Sequence, residues 1–296
     1  MRATTKLRAA MRKRRAMIVP GAANALFARI VADLGFPAVY VTGAGVANMR
    51  LGAPDIGLTT VTELAETTSA IADAIDLPLI VDVDTGFGNP LNVVRTVRLL
   101  ERAGAAALQM EDQVFPKRCG HFAGKEVIPV AEMVDKIRAA VDTRRDGDLQ
   151  IVARTDARAI EGLDAALDRS RAYIEAGADA TFVEAPVSLD ELRCMPAELP
   201  VPQFANMVYG GITPEPGQVA LAEMGYSIVL YANVSLQAAI RGAAEALGLL
   251  KADGDLSRAA SLLTGFDERQ RVVGKDLWDA LEARYGPRER EAQKAV

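Results

Sequence analysis

The chain's 296 residues, 50% of them hydrophobic, and its formal net charge of −5 suffice to fill one large α/β barrel or two ordinary domains. Its two cysteines, Cys119 and Cys194, are too few for a disulfide framework and point to a reducing, cytoplasmic setting. No apolar run approaches the roughly 20 residues that span a bilayer, so no membrane partner is expected.

The chain opens on a basic stretch: Arg2, Lys6, Arg8, Arg12, Lys13, Arg14 and Arg15 precede the first acid, Asp33. A nucleic-acid arm or targeting peptide would also be basic. Aromatic residues are missing there, however, and Leu7 and Met11 fit one face of a short helix, so a solvated N-terminal helix with no nucleic-acid partner is expected. Short apolar runs then recur in order, "MIVPG", "AVYVTG", "LIVDVDTG", "ALQMED", "IVARTD", "ATFVEA", "PQFANM" and "SIVLYAN". The segments between them, such as "NVVRTVRLLERAG" and "LDAALDRSRAYIEAGAD", carry apolar residues at helical spacing and often end in glycine, as helix C-termini prefer. Eight strand–helix units without a composition break predict an α/β fold, a single (β/α)8 TIM-type barrel over residues 1–296, with a doubly wound sheet as the alternative. From about residue 236 onward the chain reads as several further helices, more than one barrel closure needs. Their surplus apolar faces, with Trp278 and Leu281 as anchors, are expected to pack on the barrel or on a neighbouring subunit.

Almost every strand acquires a polar residue at its C-terminal end: Thr42, Asp82 and Asp84, Glu111, Arg154 and Asp156, Glu184, Asn206 and Asn233. These ends converge on one mouth of a barrel, where this fold places its chemistry. Asp82 and Asp84 lie two apart, which on a strand turns both carboxylates to one side. At about 4 Å such like charges repel by about 1–4 kcal/mol unless a proton or cation intervenes. With Glu111 on the next strand, the oxygen-only set suits Mg²⁺; a structural network with Arg154 is the plainer alternative. "GAGVAN" lacks the third glycine of a dinucleotide loop, so Gly43 and Gly45 are read as a turn whose N–H groups approach a ligand carboxylate.

Residues 112–129 separate a strand from the next helix by far more than an ordinary βα connection, as lids do. Cys119 lies there behind Lys117 and Arg118 and ahead of His121, surroundings that favour a thiolate able to exchange protons. A zinc site lacks ligands; a Cys–His nucleophile pair and a plain surface thiol are the other readings. Cys194 is read as buried packing.

"DVDTGFGN", "MEDQVFPKRCGH", "GKEVIP", "ARTDAR", "VEAP" and "ANMVYGGITP" resemble, in order and spacing over roughly residues 17–242, the isocitrate lyase and phosphoenolpyruvate mutase superfamily. "KRCGH" is similar to its carbon–carbon lyase branch, which includes methylisocitrate lyase, dimethylmalate lyase and oxaloacetate hydrolase. The resemblance implies Mg²⁺, with Mn²⁺ as the alternative ion, on Asp82 and Asp84, with Glu111 and Asp55 acting through water or from behind. It implies that Tyr40, Thr42, Gly43 and Ala44 embrace the α-oxyacid end of a small carboxylate substrate, that Arg154 holds its carboxylate, and that Glu184 and Asn206 line the pocket. From the lid, Cys119 would be the acid/base thiol with His121 beside it, and Lys117, Arg118 and Gly120 would contact substrate. A homotetramer with exchanged terminal helices is implied as well. The expected reaction is cleavage of a 2-hydroxyacid of the methylisocitrate or dimethylmalate type to a 2-oxoacid and a second carboxylate. Oxaloacetate hydrolysis, carboxyphosphonoenolpyruvate phosphonomutase activity and a non-catalytic metabolite-binding barrel are the alternatives. Two departures bear on substrate: Tyr209 stands where relatives carry an acid, and Ala232, Asn233 and Val234 replace their usual strand-eight ending.

Overall fold

The computed structural model describes residues 1–118 and 124–286. The chain divides into two compact units, Met1–Ala239 and the stretch from Ile240 onward.

The first unit is an eight-stranded parallel barrel: β1 Met17–Ala22, β2 Val39–Val41, β3 Leu79–Asp82, β4 Ala105–Glu111, β5 Gln150–Thr155, β6 Ala180–Val183, β7 Phe204–Asn206 and β8 Ile228–Tyr231. Each strand pairs with its sequence neighbour, and β1 pairs with β8. Only the β6–β7 seam is thin, a single parallel bridge between Thr181 and Gln203 backed by the Thr181 hydroxyl donating to Gln203 Oε1 at 2.9 Å. All eight predicted strands form, and the barrel alternative holds over the doubly wound sheet.

The helices are α1 Ala3–Met11, α2 Ala25–Asp33, α3 Gly43–Val46, α4 Val61–Ala74, α5 Pro90–Arg102, α6 Val130–Thr143, α7 Arg158–Glu161, α8 Leu163–Glu175, α9 Leu189–Glu198 and α10 Gln218–Met224, then α11 Val234–Asp253. Their starts are written locally. Thr60 and Glu63 close a reciprocal capping box on α4, and Asn89 with Pro90 at the first position and Asn92 does so on α5, satisfying amides that the first turn leaves without partners. Gly104 and Gly177, at φ 99° and 105°, end α5 and α8 in a backbone region that only glycine enters without strain.

Inward-facing residues of the strands, among them Val19, Tyr40, Ile80, Val152, Phe182, Phe204 and Ile228, form one core together with Leu7 and Met11 of α1. Leu7 and Met11 are 1% and 0% exposed, so the basic N-terminal helix is a plug and not the solvated helix expected. Its polar side is tied down too: Arg2 pairs with Asp146 at 3.0 Å, and the Thr5 hydroxyl donates to Asp148 at 2.6 Å. A second core fills the space between strands β2–β5 and their helices.

The second unit continues α11 and adds α12 Phe266–Val272 and α13 Lys275–Tyr285. It exposes Leu247, Leu263, Phe266, Leu277 and Trp278. Among the described residues no helix is long and apolar enough to cross a membrane.

Candidate active site at the C-terminal mouth of the barrel

The polar residues at the strand ends do converge. A cavity of about 40 Å³ is lined by Tyr40, Thr42 and Ala44 from β2 and α3, Asp82 from β3, Glu111 from β4, Arg154 from β5, Glu184 after β6, Asn206 from β7 and Asn233 after β8, with Asp55, Lys117 and Arg118 from the loops. Val208, Leu230 and Ala232 complete it. Val208 and Leu230 escaped notice in the sequence although each lies two residues from a wall residue, Asn206 and Ala232, the spacing that keeps side chains on one face of an extended chain.

Asp84 reaches the site by a different route from the one its spacing suggests. β3 ends at Asp82, and Asp84 sits at φ 48°, so strand alternation does not orient it. The two carboxylates still meet around Gly43: a β-carbon there would lie 3.0 Å from Asp82 Oδ2 and 3.1 Å from Asp84 Oδ1. Backbone amides supply part of the solvation of Asp82, Gly43 N–H donating to its Oδ2 at 3.3 Å and Asp84 N–H to its Oδ1 at 3.2 Å. Gly45 N–H is taken by the Thr42 hydroxyl oxygen at 3.3 Å, where Thr42 caps α3, so that amide is not presented to a ligand as expected.

Residues 112–118 and 124–128 form the two limbs of a stem. Val114 N–H donates to the carbonyl of Glu126, and Ile128 N–H to that of Asp112, both at 2.8 Å. The Gln113 side chain bonds both the N–H and the carbonyl of Arg118. This stem delivers Lys117 into the mouth, 3% exposed, where its Nζ pairs with Asp55 and stands 2.8 Å from Asp84 Oδ1. The second contact is an ion pair, and among the described residues Asp84 Oδ1 has no hydrogen-bond partner. Cys119, Gly120 and His121 lie outside the described residues.

Burial sets the electrostatics. It raises Glu111 well above the usual carboxylate range despite the opposing charge of Arg154, and raises Asp84 to about 6 against the pull of Lys117. Burial alone would depress Lys117 and Arg154, but surrounding carboxylates outweigh it: Asp84, Glu111 and Asp82 hold Lys117 up, and Asp156, Glu184 and Glu111 hold Arg154 up. The Tyr40 phenol, donating to Gln109 Oε1 at 2.5 Å, is pushed up by burial and then by Asp82. It remains a neutral donor. Among the described residues, buried Glu111 Oε1, Asn206 Oδ1 and Asn233 Oδ1 have no hydrogen-bond partner, an arrangement that a bound ligand, ion or water completes.

Tyr209 departs from expectation. It is 87% exposed, at the second position of a turn closed by Gly211 N–H to the Val208 carbonyl at 2.8 Å, with Gly210 at φ 78°. Such a tip faces solvent, and Tyr209 does not wall the cavity. Cys194 is half-buried, not fully packed. Among the described residues no three Asp, Glu, His or Cys side chains form a ready-made metal cage. The set suits a cation that takes one or two carboxylates and keeps its waters.

A model of the family described as phosphoenolpyruvate phosphomutase matches residues 7–250. The chain is 42% identical to 2,3-dimethylmalate lyase of Eubacterium barkeri, covering 96% of this chain and 99% of that one. It is 43% identical to 2-methylisocitrate lyase of Shewanella oneidensis, over 84% and 85%. A crystal structure of 2,3-dimethylmalate lyase matches with a TM-score of 0.91 at 35% identity, covering 97% of this chain and 96% of the other. Phosphonopyruvate hydrolase in complex with oxalate and Mg²⁺ matches with a TM-score of 0.87 at 31% identity, over 96% and 99%. The barrel, its mouth of acids and these likenesses agree: the chain belongs to the phosphoenolpyruvate phosphomutase family, in company with relatives named as lyases.

Proposed function

We propose that the protein is a Mg²⁺-dependent carbon–carbon lyase that cleaves a 2-hydroxy di- or tricarboxylate, of the 2,3-dimethylmalate or 2-methylisocitrate type, to a 2-oxoacid such as pyruvate and a second carboxylate. The observation that carries this reading is the gathering of Asp82, Glu111, Arg154 and Glu184 around one buried cavity, with Asp84 behind it. The donor set fits a hard divalent ion: carboxylate oxygens only, one of them, Glu111 Oε1, buried without a hydrogen-bond partner among the described residues. Asp82 and Asp84 would hold Mg²⁺ or Mn²⁺, with Glu111 through water. The ion, when bound, supplies Lewis acidity toward the substrate's hydroxyl and adjacent carboxylate.

The chain's own groups do the rest. Arg154 binds the substrate carboxylate, while Tyr40, Thr42 and Ala44 shape the α-oxyacid end. As the hydroxyl proton passes to a carboxylate of the mouth, the oxygen forms the carbonyl of the 2-oxoacid and the adjacent carbon–carbon bond breaks, leaving its electron pair on the departing carboxylate half. That carbon then takes a proton, which Cys119 with His121 beside it would deliver. Asn206 and Asn233 face the distal part of the substrate. The exposed apolar side chains of α11–α13 would pack on a neighbouring subunit in a homotetramer in the cytoplasm, and sedimentation equilibrium would report a monomer if that were wrong.

The test is to incubate purified protein with Mg²⁺ and a panel of 2-hydroxyacids, oxaloacetate and phosphonates, following products by proton and phosphorus NMR. Pyruvate with propionate or succinate supports the lyase; oxalate with acetate from oxaloacetate indicates the hydrolase; turnover of no acid defeats the proposal.

A further inference from the structure

Arg154 is gripped along one edge. Its Nε donates to Asp156 Oδ2 at 2.9 Å and its Nη2 to Asp156 Oδ1 at 3.1 Å, and its guanidinium carbon lies 5.2 Å from the Phe182 ring centroid. Among the described residues Nη1 makes no hydrogen bond. Asp156 is 0% exposed and is not a wall of the cavity, so it touches the cavity through the Arg154 that it bonds. Its own backbone is fixed, its N–H donating to Asp112 Oδ1 at 3.0 Å.

Asp156 is shared with a second cation. Lys125, on the 124–128 limb of the stem and 8% exposed, donates from Nζ to the same Asp156 Oδ1 at 2.7 Å. An Arg–Asp pair alone would spend much of the guanidinium's charge internally. Glu111 and Glu184 draw on it further, at 3.3 and 3.9 Å. With Lys125 bound to Asp156, the carboxylate's charge is divided, and more of Arg154's charge is left for the cavity.

We infer that Lys125, acting through Asp156, is a positioning residue that orients Arg154 and preserves its charge, and so sets the affinity for the carboxylate end of the ligand. This rests on the reading of Arg154 as the carboxylate holder. It also ties ligand affinity to the seating of the stem, because the ammonium that divides Asp156's charge comes from that segment.

Oxalate, a compact dicarboxylate, is the probe, titrated calorimetrically into the Mg²⁺-loaded protein. Lys125→Met should weaken oxalate binding about 10- to 100-fold, the range usual for partners that act through a first contact. KM for the turned-over acid should rise in parallel, with kcat changed less than about threefold. Lys125→Arg should recover most of the affinity. Should Lys125→Met not yield folded protein, Lys125→Gln, which can bond Asp156 without charge, carries the same expectation. Arg154→Met is the reference. If it leaves oxalate affinity unchanged, the reading of Arg154 fails. If it weakens binding while folded Lys125→Met or Lys125→Gln loses only thermal stability and binds oxalate like wild type, the inference about Lys125 alone is overturned.

Discussion

Lys117 is the counter-charge of the acid cluster, and Lys117→Met tests that with little change in packing. Its Nζ lies 2.8 Å from Asp84, a separation worth about 6 kcal/mol gross at an effective dielectric near 20. After the desolvation penalty, removing one member of a buried pair typically costs about 3–5 kcal/mol. The loss should depend on pH in a defined direction. Asp84 is already raised to about 6 from 3.8 in the wild type, and losing Lys117 raises it further. A carboxyl whose folded pKa is raised gives its full stability below the unfolded pKa and loses it as pH climbs toward the folded one. For wild type that shift is about 3 kcal/mol, lost between about pH 4 and 6. For Lys117→Met the window extends upward, so the variant's deficit is smaller near pH 4.5, where chiefly the pair with Asp55 is lost, and approaches the full 3–5 kcal/mol at pH 8. Urea unfolding of chelator-treated protein at the two pH values measures it. Adding Mg²⁺ at pH 8 should then stabilise the variant more than wild type, because the ion replaces the missing charge. A deficit that grows on acidification, or none at pH 8, would refute the assignment of Lys117.

Three further outcomes are expected. Cys119→Ser should lower turnover at least about 10²-fold through lost proton transfer while metal-induced stabilisation persists; unchanged turnover removes the thiol from the reaction. Asp82→Asn or Asp84→Ala should blunt both activation by Mg²⁺ and the rise in Tm that the ion gives wild type, and turnover indifferent to chelator would contradict the metal assignment. Leu7→Ala, in the barrel plug, should cost about 2–5 kcal/mol in urea unfolding, and a loss under about 0.5 kcal/mol would mean that α1 is dispensable to the core.

What could be seen in the sequence was whatever a periodicity encodes. Strands announced themselves by β-branched runs, helices by a 3.6-residue apolar spacing closed by Gly104 or Gly177, and the barrel follows because eight such units admit few other closures. The mouth was legible because polar residues sit at strand ends. Geometry that no period carries stayed hidden. The spacing of Asp82 and Asp84 suggested a shared strand face, yet the strand stops at Asp82 and a left-handed residue brings Asp84 round. Leu7 and Met11 mark an apolar stripe, but the stripe does not name the barrel floor as its partner. Tyr209 lies in a motif from which Asn206 and Val208 line the cavity, and the turn made with Gly210 sends it into solvent. The least legible feature is the pair of lysines on the stem. In the sequence Lys117 is a cation next to a thiol and a substrate contact by resemblance, and nothing marks Lys125, whereas both are buried and bind acids contributed by distant segments, Asp55 and Asp84 for one and Asp156 for the other. A long loop whose cations reach into the barrel ties the mouth's charge balance to the loop's own position, so the stem belongs to the electrostatics of the site as much as the strand ends do.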